Sequence, residues 1–280
     1  MAKFANISAG AGKPPPVPLL PPASLVAHRA GANDDGPNRD SRPCGVDGLS
    51  LFLDFDGTLV NLAARPDAVD VAPTLPVLLY RLADRLDGRI ALISGRGASH
   101  IASFIGHLPI TIAGSHGAEI RYADGRTLSP PRPSTLAIVL GAFHDLARTT
   151  PGVLVEDKPH GVALHYRGAP DAAALCHAVA TGLSARLGLH LQTGKMMVEL
   201  RGPGADKGMA LNHLMQDPAM QGTTPLFMGD DDTDEPAFVA ANQLGGAGVL
   251  VGPGRHTTAA QYALSGVAAV HAWLESLVEL

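Results

Sequence analysis

Asp54-Phe55-Asp56-Gly57-Thr58 is the stretch of this sequence best suited to chemistry. Two carboxylates two positions apart project to the same side of an extended chain. Like charges that close repel, so they need a cation or a shared proton. Mg2+ suits them, because it takes one or two carboxylates together with a substrate phosphate. One carboxylate can then attack phosphorus, while the other protonates the leaving oxygen and afterwards activates water. Alone, the stretch reads equally well as an acidic turn before a helix, so other polar clusters must decide. Gly229-Asp230-Asp231-Asp232-Thr233-Asp234-Glu235 carries five carboxylates in six residues. It lacks the central glycine and distal glutamate of an EF-hand Ca2+ loop. Ser94-Gly95-Arg96 offers a hydroxyl and backbone amides at a helix start, which make an anion site. Lys207, within Asp206-Lys207-Gly208, offers a fixed positive charge for phosphoryl oxygens. Together these groups spell Mg2+-assisted phosphoryl transfer.

Each strand-end cluster follows a short apolar run. Leu51-Phe-Leu53 precedes Asp54, Ile90-Ala-Leu-Ile93 precedes Ser94, and Pro225-Leu-Phe-Met228 precedes Gly229. Ile110-Thr-Ile-Ala113 and Gly248-Val-Leu-Val251 end at glycine-containing turns in the same way. Leu75, Leu78, Leu79, Leu82 and Leu86 predict a helix over 73–86. Buried strands alternating with helices define an α/β protein with a doubly wound, parallel-sheet (Rossmann-like) core, whose sites gather at the carboxyl ends of the strands. The middle breaks this rhythm. Gly152-Val-Leu-Val-Glu-Asp-Lys158 and Val162-Ala-Leu-His-Tyr-Arg167 pair across a short turn, a helix follows over 171–187, and strands follow over 189–192 and 196–200. The expected organisation is a core of 49–121 and 201–280 with an inserted α+β cap over 122–200. Residues 1–48 hold eight of the 23 prolines and read as a Pro/Gly-rich flexible tail.

Composition narrows the classes. Of 280 residues, 46% are hydrophobic and 17% charged, which supplies a core and excludes wholesale disorder. A net charge of −5 argues against a nucleic-acid binder. Cys44 and Cys176 cannot build a disulfide framework and read as reduced thiols. No apolar run approaches the ~20 residues that cross a bilayer, and no secretory signal is visible, so the expected location is cytoplasmic. The twelve histidines lack a metal-ligand spacing. His165 reads as a cap-face or core residue, and Trp273, beside Val270, Leu274 and Leu277, as helix packing.

The order Asp54-x-Asp56-Gly57-Thr58, Ser94, Lys207, Gly229-Asp230-Asp231 resembles the haloacid dehalogenase superfamily of aspartyl-nucleophile phosphatases. Further stretches narrow the resemblance to the trehalose-6-phosphate phosphatase family of the bacterial type. They are Leu92-Ile-Ser-Gly-Arg96, Gly114-x-His-Gly-Ala-Glu119, Glu156-Asp-Lys158, Ala163-Leu-His-Tyr-Arg167, Gly194-Lys-Met-x-Val-Glu-Leu200 and Gly229-Asp-Asp-x-Thr-Asp-Glu235. The resemblance implies Asp54 as nucleophile and Mg2+ ligand, and Asp56 as acid/base with its backbone carbonyl on the metal. It implies Ser94 and Lys207 as the phosphoryl holders and Asp230 as the residue completing the metal site, with Asp231 and Asp234 in support. Glu156, Lys158 and Glu199 match the cap residues that grip the sugar. Arg96, His116, Gly117 and Arg167 fall in family motifs on the substrate side. The implied activity is hydrolysis of trehalose 6-phosphate, with the synthase of that sugar phosphate as a candidate partner. The alternatives are a related phosphatase acting on sucrose 6-phosphate or mannosylglycerate phosphate, or a non-catalytic sensor of the sugar phosphate.

Overall fold

A computed structural model describes Pro21, Val46 and residues 48–63, 68–253 and 257–280. The rest of the expected tail, Cys44 included, lies outside the described residues.

The chain begins its core with β1 (Leu49–Leu53), α1 (Leu75–Arg85), β2 (Ile90–Ile93), α2 (Ala98–Ile105), β3 (Thr111–Gly114), β4 (Glu119–Arg121) and β5 (Thr127–Leu128). The second module holds α3 (Leu136–Thr149), β6 (Leu154–Lys158), β7 (Gly161–His165), α4 (Ala173–Leu187), β8 (His190–Gly194) and β9 (Met197–Arg201). The core resumes with α5 (Lys207–Leu214), β10 (Thr224–Gly229), α6 (Glu235–Gln243), β11 (Ala247–Val251), β12 (Tyr262–Leu264) and α7 (Val267–Val278).

Strand order in the large sheet is β12-β11-β10-β1-β2-β3-β4-β5, parallel from β12 to β3 and antiparallel over the last two steps. All five residues of β1 are buried, which explains the apolar run Leu51-Phe52-Leu53 within it. The period of two divides them between layers. Leu51 and Leu53 pack with Leu75, Leu79, Ile101, Val270 and Trp273 from α1, α2 and α7. Phe52 packs with Leu211, Ala237 and Phe238 from α5 and α6. Leu53 pairs with Met228 of β10, so Asp54 and Asp230 emerge side by side where the two strands end.

The smaller sheet is antiparallel, in the order β6-β7-β9-β8. Val162, Leu164, Val198 and Leu200 face α3 and α4 and meet Leu136, Phe143, Cys176 and Ala180. The alternate residues face away from the helices. One row of partners across this open face runs Glu156, Ala163, Glu199, Gln192. Two details differ from the sequence reading. β5 pairs with β4 in the large sheet, so this hairpin stays with the core although a cap boundary at 122 would divide it. Its strands, three and two residues long, are too short to show a period. Helix α3 also precedes the paired strands, and its stripe of Leu136, Val139 and Phe143 is buried against them.

Candidate active site

Asp54 sits one residue past β1 and is held by its N–H donating to Met228 O at 2.9 Å. Its carboxylate meets Lys207 Nζ at 2.8 Å, and the same ammonium lies 2.7 Å from Asp234. Lys207 gets there because Asp206 caps α5, accepting from the Met209 N–H at 2.7 Å. Asp234 in turn accepts the backbone N–H groups of Asp230 and Asp231 at 2.9 and 3.0 Å. Carboxylate oxygens of Asp54, Asp230 and Asp234 all lie within 4.8 Å of one another. Gly57, at φ +82°, makes room for this: a Cβ there would fall 2.3 Å from Asp230 Oδ2.

Burial pushes the Asp54 carboxyl well above its usual range, opposed by Lys207 and reinforced by Asp234 and Asp230. Burial likewise raises Asp234 to about 6, against the pull of Lys207. Burial works against the Lys207 ammonium, but Asp234 and Asp54 prevail and its pKa is raised. Three clustered carboxylates share one buried ammonium, Lys207, and one half-exposed one, Lys195. The donors are all oxygens, without cysteine or histidine, and so fit a hard divalent cation.

Asp56 faces another partner. Arg96 donates to it twice, from Nε at 2.6 Å and from Nη2 at 2.8 Å. Its carboxylate is not among the three clustered ones; Asp234 is the third. Ser94 is buried past β2, its Oγ accepting from the Arg96 N–H at 3.2 Å. His116 follows β3 in a left-handed conformation, φ +59°, and its N–H donates to Ser94 O at 2.8 Å.

The cap supplies the opposite wall. Lys158 Nζ donates to Glu199 Oε2 at 2.6 Å, and His116 Nε2 lies 3.9 Å from the same oxygen. Burial alone would raise Glu199, but Lys158 and His116 overrule it and hold the carboxyl below its ordinary range. Burial lowers His116. Glu156 pairs with His165 Nε2 at 2.7 Å; burial would raise its carboxyl, but His165 and Lys158 bring it down.

Core and cap line an open cleft of about 190 Å3. Asp54, Asp56, Ser94, Arg96, His116, Glu156, Lys158, Arg167, Glu199, Lys207 and Asp230 all line it. Gly117 does not: at φ +93° it turns the chain against α5, where a Cβ would fall 2.5 Å from that of Ala210. His165, which the sequence places on the cap face or in the core, also lines the cavity. Trp273 is buried with Val270, Leu274 and Leu277. The residue the sequence reading passed over is Lys195. It stands between β8 and β9, and its Nζ lies 2.9 Å from Asp230 Oδ2. Its motif, Gly194-Lys-Met, is visible in the sequence, but only the hairpin turn aims the side chain at the core.

A doubly wound sheet carrying acidic strand ends beneath an inserted α+β cap is the architecture of the haloacid dehalogenase superfamily of hydrolases. Within it, residues 52–268 match the trehalose-phosphatase family profile, and the chain belongs to that family. A protein of Sinorhizobium fredii is 39% identical over 210 residues, covering 74% of this chain and 79% of its own. The trehalose-6-phosphate phosphatase of Escherichia coli is 37% identical over 230 residues, 81% of this chain and 85% of that one. The crystal structure of a trehalose-6-phosphate phosphatase related protein superposes with a TM-score of 0.67 at 26% identity, over 82% of this chain and 97% of that one. Among the described residues no helix is long and apolar enough to cross a membrane.

Proposed function

We propose that the protein hydrolyses trehalose 6-phosphate to trehalose and phosphate, with Mg2+, through phosphorylated Asp54. Membership of the trehalose-phosphatase family is the observation that carries the substrate. The carboxylate cluster supports the chemistry. In the first step an Asp54 oxygen bonds to phosphorus, the bond from phosphorus to the sugar oxygen breaks, and Asp56, protonated and released from Arg96, gives that oxygen a proton. In the second, Asp56 takes a proton from water, the water oxygen bonds to phosphorus, and the bond to Asp54 breaks. Lys207 and Ser94 hold the phosphoryl oxygens throughout. Arg96 fixes the rotamer of Asp56 in its ionised form, the one that takes a proton from water. Asp54, Asp230 and the main-chain carbonyl of Asp56 would hold Mg2+, which when bound offsets the repulsion between these carboxylates and a phosphate dianion.

The cap recognises the sugar. Glu156 and Glu199 accept from hydroxyls, Lys158 donates, and Arg167 and His116 complete that wall. Closure of the cap over the core shields the phosphoryl-enzyme from bulk water. The synthase that makes trehalose 6-phosphate is the proposed macromolecular partner. Phosphate release from a panel of sugar phosphates, with and without Mg2+, tests this reading. Trehalose 6-phosphate should be turned over fastest and only with metal; a stronger response to sucrose 6-phosphate or mannosylglycerate phosphate would replace the substrate.

A further inference from the structure

Lys195 is a cap residue whose charged end lies in the core. The turn that carries it joins β8 to β9, with Met196 at φ +63°, and its carbonyl accepts from Arg167 Nη2 at 3.4 Å. From there Nζ crosses the cavity to Asp230 Oδ2 at 2.9 Å. Its side chain is 53% exposed while that of Asp230 is 8% exposed. Water reaches the ammonium side of this pair, which leaves Lys195 able to exchange partners. Lys158, the other lysine on the cap wall of this cavity, is tied to Glu199 on its own sheet. Asp230, in contrast, belongs to the three-carboxylate cluster.

Resting on the phosphatase reading above, we propose that Lys195 is the cap's phosphoryl-binding residue, paired with Asp230 and passed to the phosphoryl oxygens once a cation and substrate arrive. A divalent cation draws Asp230 into its own shell and repels a neighbouring ammonium. The substrate's phosphate then offers the released ammonium a charge-assisted hydrogen bond from above, with Lys207 below. The cap thereby contacts the phosphoryl group itself, independently of the sugar contacts made by Glu156, Lys158 and Glu199.

The two halves of this exchange have opposite signs, which makes them testable together. Lys195→Met removes the competitor for Asp230, so Mg2+ titrated calorimetrically into the substrate-free protein should bind about threefold to tenfold more tightly. The same variant should lose about tenfold or more in kcat/KM on trehalose 6-phosphate and, in parallel, on a small aryl phosphate. Lys195→Arg, which keeps the charge, should return both quantities toward the parent values. Unchanged or weaker Mg2+ binding in Lys195→Met would overturn the proposal, as would unchanged turnover, a loss confined to the sugar substrate, or equal behaviour of Met and Arg. If Lys195→Met does not fold, Lys195→Gln serves the same comparison. Failure of the parent protein on trehalose 6-phosphate would sink the substrate assignment, while the Mg2+ titration would still decide the role of Lys195.

Discussion

Arg96 and Asp56 form a two-pronged pair across the core, with the guanidinium stacked 5.3 Å from the Phe104 ring centroid. A fork of this geometry fixes the carboxylate's rotamer, which a flexible lysine does not do. Arg96→Lys should therefore lower kcat by about tenfold or more, through misplacement of Asp56 by a fraction of an ångström. Steady-state kinetics would show this, and a kcat equal to that of the parent would refute the positioning role.

The proposed nucleophile, Asp54, gives the most direct test of the mechanism. Asp54→Asn keeps the size of the side chain and removes the attacking charge. Activity should fall by at least about 10^3-fold, equivalent to roughly 4 kcal/mol in the barrier, while circular dichroism reports an intact fold. Asp56→Asn should also be severe, through loss of the proton donor to the sugar oxygen. Substantial turnover by Asp54→Asn would exclude a phospho-aspartyl route.

Chelation should abolish activity and Mg2+ should restore it. Zn2+ should substitute poorly, since the clustered donors are carboxylates and Zn2+ favours sites with nitrogen or sulfur ligands. Binding should also raise the melting temperature, because a ligand present at 100 times its Kd stabilises by about 2.7 kcal/mol. Full activity after exhaustive chelation would contradict the metal assignment.

On the proposed reading, the cap residues separate substrate choice from chemistry. Glu156→Ala, Lys158→Ala and Glu199→Ala should each cut trehalose 6-phosphate hydrolysis by about 10^2-fold, roughly 2.7 kcal/mol. Each should retain most of the activity the parent shows on a small aryl phosphate. Parallel losses on both substrates would mean that these residues support the fold or the core chemistry instead.

The Glu199–Lys158 pair also makes a stability prediction. Glu199 is depressed below its ordinary 4.5 in the folded protein. Its contribution is thus fully present above that value and lost as pH falls toward the lower folded one. Melting temperature should drop as the pH is taken from 6 to 3. Glu199→Gln should show a shallower acid limb, and identical acid limbs in the two proteins would rule the pair out as a source of acid sensitivity.

Local chemistry along the chain determined a good deal here. Leu51-Phe-Leu53, Ile90–Ile93 and Pro225-Leu-Phe-Met228 are apolar throughout because both sheet faces are covered by helices, and this alone places Asp54, Ser94 and Asp230 at strand ends. The strand pairs of the cap, and with them Glu156 and Glu199, are legible from a different local cue, short strand-like runs of which the first two are joined by the turn Pro159-His160-Gly161. Tertiary structure decided what these ends do to one another. The parallel pairing of β1 with β10 set Asp54 beside Asp230, and burial of Asp234 beneath Lys207 brought in a carboxylate that sequence reading left in support. Asp56 turned instead to Arg96, forty positions away in the chain. Lys195 lies 35 positions before Asp230 and in the other module, so no periodicity or spacing connects them. Only the docking of the cap hairpin over the core brings that ammonium to the carboxylates.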